Sequence, residues 1–281
     1  MTYRESYEKG KGVLTEAGLE EAELDARLLL EYVCETDRNY LLAHGDCKLS
    51  VAQENSYLAL IKKRAERIPL QHLTGVQDFM GLEFQVNEYV LIPRQDTEIL
   101  VEEVMRELRD GMDILDMCTG TGCILISLLQ YSNDCTGLGV DISEEALALA
   151  GKNAEKLLDP DRQVQFVKSD LFESVEGMYD IIVSNPPYIQ SGVIADLMPE
   201  VKDHEPTSAL DGGEDGLYFY RKITRECKSF LKSGGMLFYE IGSDQGAAVS
   251  EILSKEGFGE IRVVKDYAGL DRVVHGILLR I

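Results

Sequence analysis

The stretch DILDMCTGTGCILISLL, Asp113–Leu129, decides the fold. Its first five residues are an apolar run bounded by acids, which reads as a short buried strand ending at Met117. A turn containing Gly120 and Gly122 follows, and the apolar run from Cys123 has the length and spacing of a helix. A strand, a glycine turn and a helix in that order form the first unit of a doubly wound sheet, with the free N–H groups of the helix start facing outward. The glycines let backbone approach a ligand closely. Leu125 stands where a dinucleotide fingerprint wants a third glycine, and no Lys-Ser or Lys-Thr pair follows. A dinucleotide or a P-loop phosphate site is therefore disfavoured.

Downstream, short apolar runs alternate with helical segments. TGLGVDI, VQFVKSD, YDIIVSN and GGMLFYEIG read as strands, and EEALALAGKNAEKLL, LYFYRKITRECKSFL and DQGAAVSEILSKEG as helices. This alternation predicts an α/β domain with a mostly parallel sheet. The last two runs, EIRVVKDY and RVVHGILLRI, have no helix-length segment between them and predict an antiparallel hairpin at the sheet edge.

Upstream the texture is helical. In EEAELDARLLLEYV, Ala22, Ala26, Leu29, Leu30 and Val33 share one face. Ser50 and Gln53 form a capping-box pair ahead of Leu58, Ile61, Ala65 and Ile68. Gly75 and Gly81 then punctuate a segment in which Leu82, Phe84 and Val86 alternate with polar residues and YVLI follows, a β-hairpin connector. Asp96 is placed to cap the next helix. The expected domains are a helical bundle over residues 1–74, a hairpin linker over 75–95 and the α/β domain over 96–281.

Composition excludes several classes. The net charge of −22 repels nucleic-acid phosphates, and KKRAER (Lys62–Arg67) is the longest basic run. The six cysteines form no C-x-x-C pair, so neither a metal site nor a disulfide framework is expected. The opening MTYRESYEKGKG has no apolar signal core, and no apolar run is long enough to span a bilayer, so a cytoplasmic protein is expected.

Four successive strands end in polar residues: Asp116, Asp141, Asp170 and Asn185. In open α/β sheets, ligands bind outside these carboxyl ends. Asp141 suits the hydroxyls of a ribose, although it or Ser143 could instead cap the next helix. Asp170 with Leu171 and Phe172 could hold an adenine, or only cap a loop and pack. A nucleoside without phosphates fits, and the cationic sulfonium of S-adenosylmethionine favours an acidic pocket.

The fourth strand runs into IIVSNPPYI, Ile181–Ile189. Two prolines stiffen the turn and forbid a helix. Asn185 offers a side-chain carbonyl and Pro186 a backbone one. Such acceptors hold the N–H bonds of a planar nitrogen and stabilise the positive charge that grows on it during methylation. Tyr188 can stack on a planar amide or base.

Together DMCTGTG, VDIS, SDLF and VSNPPYI resemble the HemK/PrmC family of S-adenosylmethionine-dependent methyltransferases, which modify the glutamine of the Gly-Gly-Gln motif in peptide-chain release factors. RIPLQHLTGVQDFMGLEFQV, VLIPRQDTEILVE and HEPTSALDGGEDGLYFYRKI resemble further segments of that family, and the likeness covers essentially the whole chain. Gln95 stands where the family usually has proline, Cys118 where glycine is commoner, and Leu171 where some members carry an aromatic. The resemblance implies a class I, Rossmann-like methyltransferase domain that takes S-adenosylmethionine and no metal. It implies cofactor contacts at Cys118, Thr119, Gly120, Thr121, Gly122, Asp141, Asp170, Leu171 and Asn185, and substrate contacts at Asn185, Pro186, Pro187 and Tyr188. The helical bundle would contact the release factor, with the enzyme a monomer and no direct contact with nucleic acid or membrane. Arg94, His204 and Glu205 are left without a settled role. The alternatives are an adenine amino-methyltransferase acting on DNA or RNA, since NPPY is shared with those enzymes, and a non-catalytic translation-factor adaptor.

Overall fold

A seven-stranded sheet organises the larger part of the chain in this computed structural model, which describes residues 1–279. Strands β3 (Asp113–Met117), β4 (Thr136–Asp141), β5 (Gln163–Lys168), β6 (Tyr179–Ser184) and β7 (Leu231–Glu240) are parallel, and β8 (Phe258–Lys265) and β9 (Asp271–Leu278) close the far edge antiparallel. The order is β5-β4-β3-β6-β7-β9-β8. It reverses direction between β3 and β4 on one side and β6 on the other, the switch point where such sheets open a crevice. The expected edge hairpin is present, with β9 inserted beside β7; Arg280 and Ile281, which end that sequence run, lie outside the described residues.

Helices cover both faces: α6 (Glu98–Glu107), α7 (Cys123–Gln130) and α8 (Glu144–Leu157), then α10 (Tyr218–Glu226) and α11 (Gly246–Lys255). Two apolar layers result. Leu100, Ile114, Leu125, Leu128 and Val183 lie in one, and Leu115, Ile182, Leu237, Tyr239 and Leu253 in the other. Adjacent strand residues alternate between the layers, as the period of two requires. A separate two-stranded ribbon, β1 (Val76–Phe79) and β2 (Leu82–Gln85), turns at Met80–Gly81. The connector expectation holds for that ribbon, but YVLI is not a strand: Val90 and Ile92 are buried on an irregular segment.

Asp96 does not cap α6. Its carboxylate lies 3.1 Å from Arg272 instead. A single 3-10 turn (Gln95–Thr97) precedes the helix, and that helix start has no side-chain cap.

The chain divides into two compact units, Met1–Val76 with Met198–His204, and Gln77–Leu197 with Glu205 onward. The first contains α1 (Tyr3–Glu16), α2 (Ala22–Cys34), α3 (Arg38–Ala43), α4 (Val51–Ala65), α5 (Leu70–Thr74) and α9 (Pro199–Lys202). Leu14, Ala26, Leu29, Leu30, Tyr57 and Ile61 form its core. The Ser50–Gln53 capping box forms in full at the start of α4. Within this unit Arg64 bonds Asp25 at 2.7 Å, and Arg64 and Arg67 both reach Glu200 at 3.1 Å. The short α9 is thereby tied to α4 by buried charge.

Candidate active site

At the end of β3 the backbone turns through Cys118 (φ +62°), Gly120 (φ +54°) and Gly122 (φ +78°). Cys118 adopts the left-handed conformation that glycine holds without strain. A Cβ at Gly120 would meet nothing, so this glycine keeps its backbone open to the space above the sheet. A Cβ at Gly122 would come within 2.9 Å of Ile126, so this second glycine serves helix packing. Asp116, buried beneath, accepts the Thr119 hydroxyl at 2.6 Å and anchors the loop. Burial pushes its carboxyl up to about 7.

Of the two residues able to cap α8 at the β4 end, Ser143 does so, accepting from the Ala146 N–H at 3.1 Å. Asp141 instead accepts the N–H of Gly120 at 2.9 Å and that of Ser143 at 3.0 Å. Its carboxylate thus braces the glycine turn and borders the same open space. Burial raises its pKa against those amide bonds. At the β5 end Asp170 pairs with Lys222 at 3.4 Å, while Leu171 is buried with φ +52°.

A cavity of about 480 Å³ collects these ends, within the size range of small-molecule sites. Cys118, Thr119, Gly120, Thr121, Asp141, Asp170, Leu171, Asn185 and Pro187 line it. Gly122, Pro186 and Tyr188 are not among the lining residues. Three aspartates (Asp141, Asp170 and Asp211) and one arginine (Arg94) are its charged groups. That balance disfavours phosphates and favours a cation. With an open glycine turn, a carboxylate and apolar side chains from Ile142 and Leu171, the residues fit S-adenosylmethionine.

Asn185 stands where β6 ends, beside the end of β7. The Ser184 hydroxyl fastens β6 to the Met117 carbonyl at 2.6 Å. The Asn185 Nδ2 donates to Thr97 Oγ1 at 3.4 Å. Tyr188 Oη donates to Glu240 Oε1 at 3.4 Å, and burial raises that phenol's pKa. Gln245 Nε2 holds the Tyr188 carbonyl at 3.0 Å.

Several site residues escape a reading based on strand ends alone. Thr97, Tyr218 and Phe219 line the cavity from the linker end and from α10. Ile189 and Asp211 form a parallel bridge, and the Gly212 N–H donates to the Ile189 carbonyl at 2.8 Å. A Cβ at Gly212 would lie 2.6 Å from the Tyr188 Cα, and one at Gly216 would overlap the Tyr188 carbonyl. The GGEDG spacing therefore exists so that backbone can clamp the Asn-Pro-Pro-Tyr turn. Arg94 and Glu205 come together: Arg94 Nη2 reaches Glu205 Oε2 at 2.5 Å, and the Ile92 N–H donates to Oε1 at 3.2 Å. His204 belongs to the other compact unit.

Residues 5–75 match the family described as PrmC N-terminal domain, and residues 94–201 the family described as methyltransferase small domain. A release factor glutamine methyltransferase of Clostridium acetobutylicum is 43% identical, with 98% of each chain covered. One of Geobacter sulfurreducens is 39% identical over 98% of this chain and 96% of that one. Among solved structures, a methyltransferase from Pyrococcus furiosus superposes with a TM-score of 0.57 at 20% identity, covering 78% of this chain and 100% of that one, a likeness of fold.

Proposed function

Because the chain belongs to the release factor glutamine methyltransferase family, we propose that it transfers a methyl group from S-adenosylmethionine to the side-chain amide nitrogen (N5) of the glutamine in the Gly-Gly-Gln motif of peptide-chain release factors. The observation that carries this reading is the placement of the Asn185 amide in the wall of the acidic cavity that also holds the glycine turn and Asp141.

When bound, S-adenosylmethionine supplies an electrophilic methyl group on a sulfonium. Asp141 would hold its ribose, the Cys118–Gly122 turn its amino-acid end, and Leu171 with Asp170 its adenine. Asp141 and Asp170 also favour its positive charge.

An amide nitrogen is a poor nucleophile because its lone pair is delocalised. Asn185 Oδ1 and the Pro186 carbonyl accept the two N–H bonds of the substrate amide, which fixes the plane of the nitrogen and directs its lone pair. As the nitrogen becomes positive in the transition state, both carbonyl dipoles stabilise it, in the manner of an oxyanion hole with the sign reversed. The prolines hold the geometry in advance, so little reorganisation is needed at the moment of reaction. Tyr188 and Pro187 flank the substrate amide. The proton is lost from nitrogen after transfer, when the N-methylated amide is strongly acidic, so no strong base is required. The helical unit contacts the release factor.

Incubation with radiolabelled S-adenosylmethionine and a release factor tests the reading. Label enters the wild-type factor and not one whose motif glutamine is alanine. Equal labelling of both sinks the proposal.

A further inference from the structure

The Asn-Pro-Pro-Tyr turn has few means of holding itself in place. Pro186 and Pro187 have no N–H to donate. On the strand side the turn is fastened at Ser184, whose hydroxyl donates to the Met117 carbonyl at 2.6 Å. On the far side the fixed points are the Tyr188 carbonyl and the Ile189 N–H, which donates to the Leu210 carbonyl at 3.0 Å. The Tyr188 carbonyl is held by Gln245, a buried side chain just before α11 that stands outside the cavity lining.

Both ends of that side-chain amide are used. Nε2 donates to the Tyr188 carbonyl at 3.0 Å and to the Gly216 carbonyl at 3.3 Å. Oε1 accepts the Gly242 N–H at 2.9 Å, with the Tyr220 hydroxyl 3.4 Å away. A peptide N–H can only donate and a peptide carbonyl acts here only as an acceptor, so the amide has one workable orientation. Reversed, it would set oxygen against two carbonyls and N–H against N–H. Gly216 makes room for this contact: it holds φ +71°, and a Cβ there would lie 2.8 Å from Nε2.

We propose that Gln245 is a positioning residue for methyl transfer, its NH₂ group fixing the far end of the turn and thereby placing the Pro186 carbonyl and the Asn185 amide. Its purpose rests on the amide methylation proposed above, but the anchoring does not depend on which substrate is used. The two prolines have locked φ angles, which leaves few soft torsions between the Tyr188 carbonyl and Asn185. A shift at the anchor is therefore carried into the turn instead of being absorbed. Acceptors that must meet both N–H bonds of a substrate amide lose rate steeply when displaced.

The test uses the full chain with Gln245→Glu and Gln245→Met. An ionised carboxylate can only accept. Gln245→Glu thus keeps the acceptor for Gly242 and removes only the donor to Tyr188 and Gly216, whereas Gln245→Met removes both. At pH about 8 each variant should lower kcat roughly tenfold, the effect of losing one buried hydrogen bond at the anchor, with S-adenosylmethionine affinity within about twofold of wild type. Amide hydrogen exchange of the substrate-free protein gives the second readout. The Ile189 and Gly212 amides, which pair with the Leu210 and Ile189 carbonyls, should exchange roughly tenfold faster in both variants, while Val183 and Leu237 in the sheet keep their wild-type protection. Wild-type kcat in Gln245→Glu, unchanged exchange at Ile189 and Gly212, or equal acceleration throughout the sheet overturns the inference; the last would make Gln245 a residue of general stability. The exchange readout needs no release factor. It decides the anchoring even if the wild-type enzyme labels no release factor, a result that would sink the proposed function instead.

Discussion

Glu200 sits among arginines and Glu240 beside one tyrosine hydroxyl. Both glutamates are buried. Glu200 lies 3.1 Å from Arg64 and from Arg67, while Arg64 also bonds Asp25. Burial opposes its charge, but a backbone hydrogen bond and the two arginines outweigh this and hold its pKa below the usual value. Glu240 has the partial help of Arg272, but its carboxylate accepts directly only from the Tyr188 hydroxyl at 3.4 Å, and burial pushes it up to about 7. The first arrangement neutralises charge where structure alone is at stake. The second leaves an under-compensated acid beneath the residues proposed to carry the chemistry, as strained groups commonly are.

The pH dependence of stability differs in sign between them. Glu200 has a lowered folded pKa, so its contribution is present above the usual carboxylate value and is lost as pH falls through the folded value. Glu240 has a raised folded pKa, so between the usual value and about 7 the folded state binds the extra proton, and stability declines as pH rises across that window.

The largest effect should come from breaking the arginine cluster. Arg64→Ala leaves Asp25 and Glu200 buried with weaker compensation and should cost about 3 kcal/mol in urea unfolding. A loss under about 1 kcal/mol would mean that the cluster behaves as a surface pair and that the contrast with Glu240 is false. Close behind it, Asn185→Ala should lower kcat by about 10²-fold or more with S-adenosylmethionine affinity nearly unchanged. If cofactor binding falls instead, the Asn185 amide serves the cofactor and not the substrate amide. Glu240→Gln should stabilise the protein at pH about 8 by on the order of 1 kcal/mol, since it removes a disfavoured charge. Equal or lower thermal stability in that variant would remove the under-compensated acid from the account. Ser50→Ala, at an exposed capping box in the same unit as Glu200, should cost only about 1 kcal/mol and leave kcat unchanged, which calibrates the larger loss expected for Arg64→Ala.

Much of the architecture is legible in local pattern. Strand–helix alternation from Asp113 onward and the glycine turn at Gly120 predict the parallel sheet and its crevice. Ser50 and Gln53 predict a helix start because a capping box is a short-range device. Asp96 misleads for the opposite reason. Its position suits a cap, but Arg272, far along the chain, competes for the carboxylate and wins. YVLI has strand-like composition, yet Val90 and Ile92 bury their side chains without pairing into a strand. Glu240 carried a readable signal. Like Asp116, Asp141, Asp170 and Asn185, it ends an apolar parallel strand, and the same rule extended to FYEIG would single it out. Thr97, which meets the Asn185 amide, carries none, because only the folded chain brings the linker end beside the end of β6. Gly212 and Gly216 are similar cases: their closeness to the Tyr188 backbone is tertiary, and the sequence shows only a glycine-rich turn.

The central claim is that methyl transfer ends on one side-chain amide nitrogen. Tandem mass spectrometry of a release factor treated with the enzyme and S-adenosylmethionine tests it most directly. The account predicts a single added methyl group, located by fragmentation on the side chain of the glutamine in the Gly-Gly-Gln motif and absent when Asn185→Ala replaces the wild-type enzyme. A methyl group on another residue, or an unmodified factor alongside methylated adenine in added nucleic acid, would contradict it.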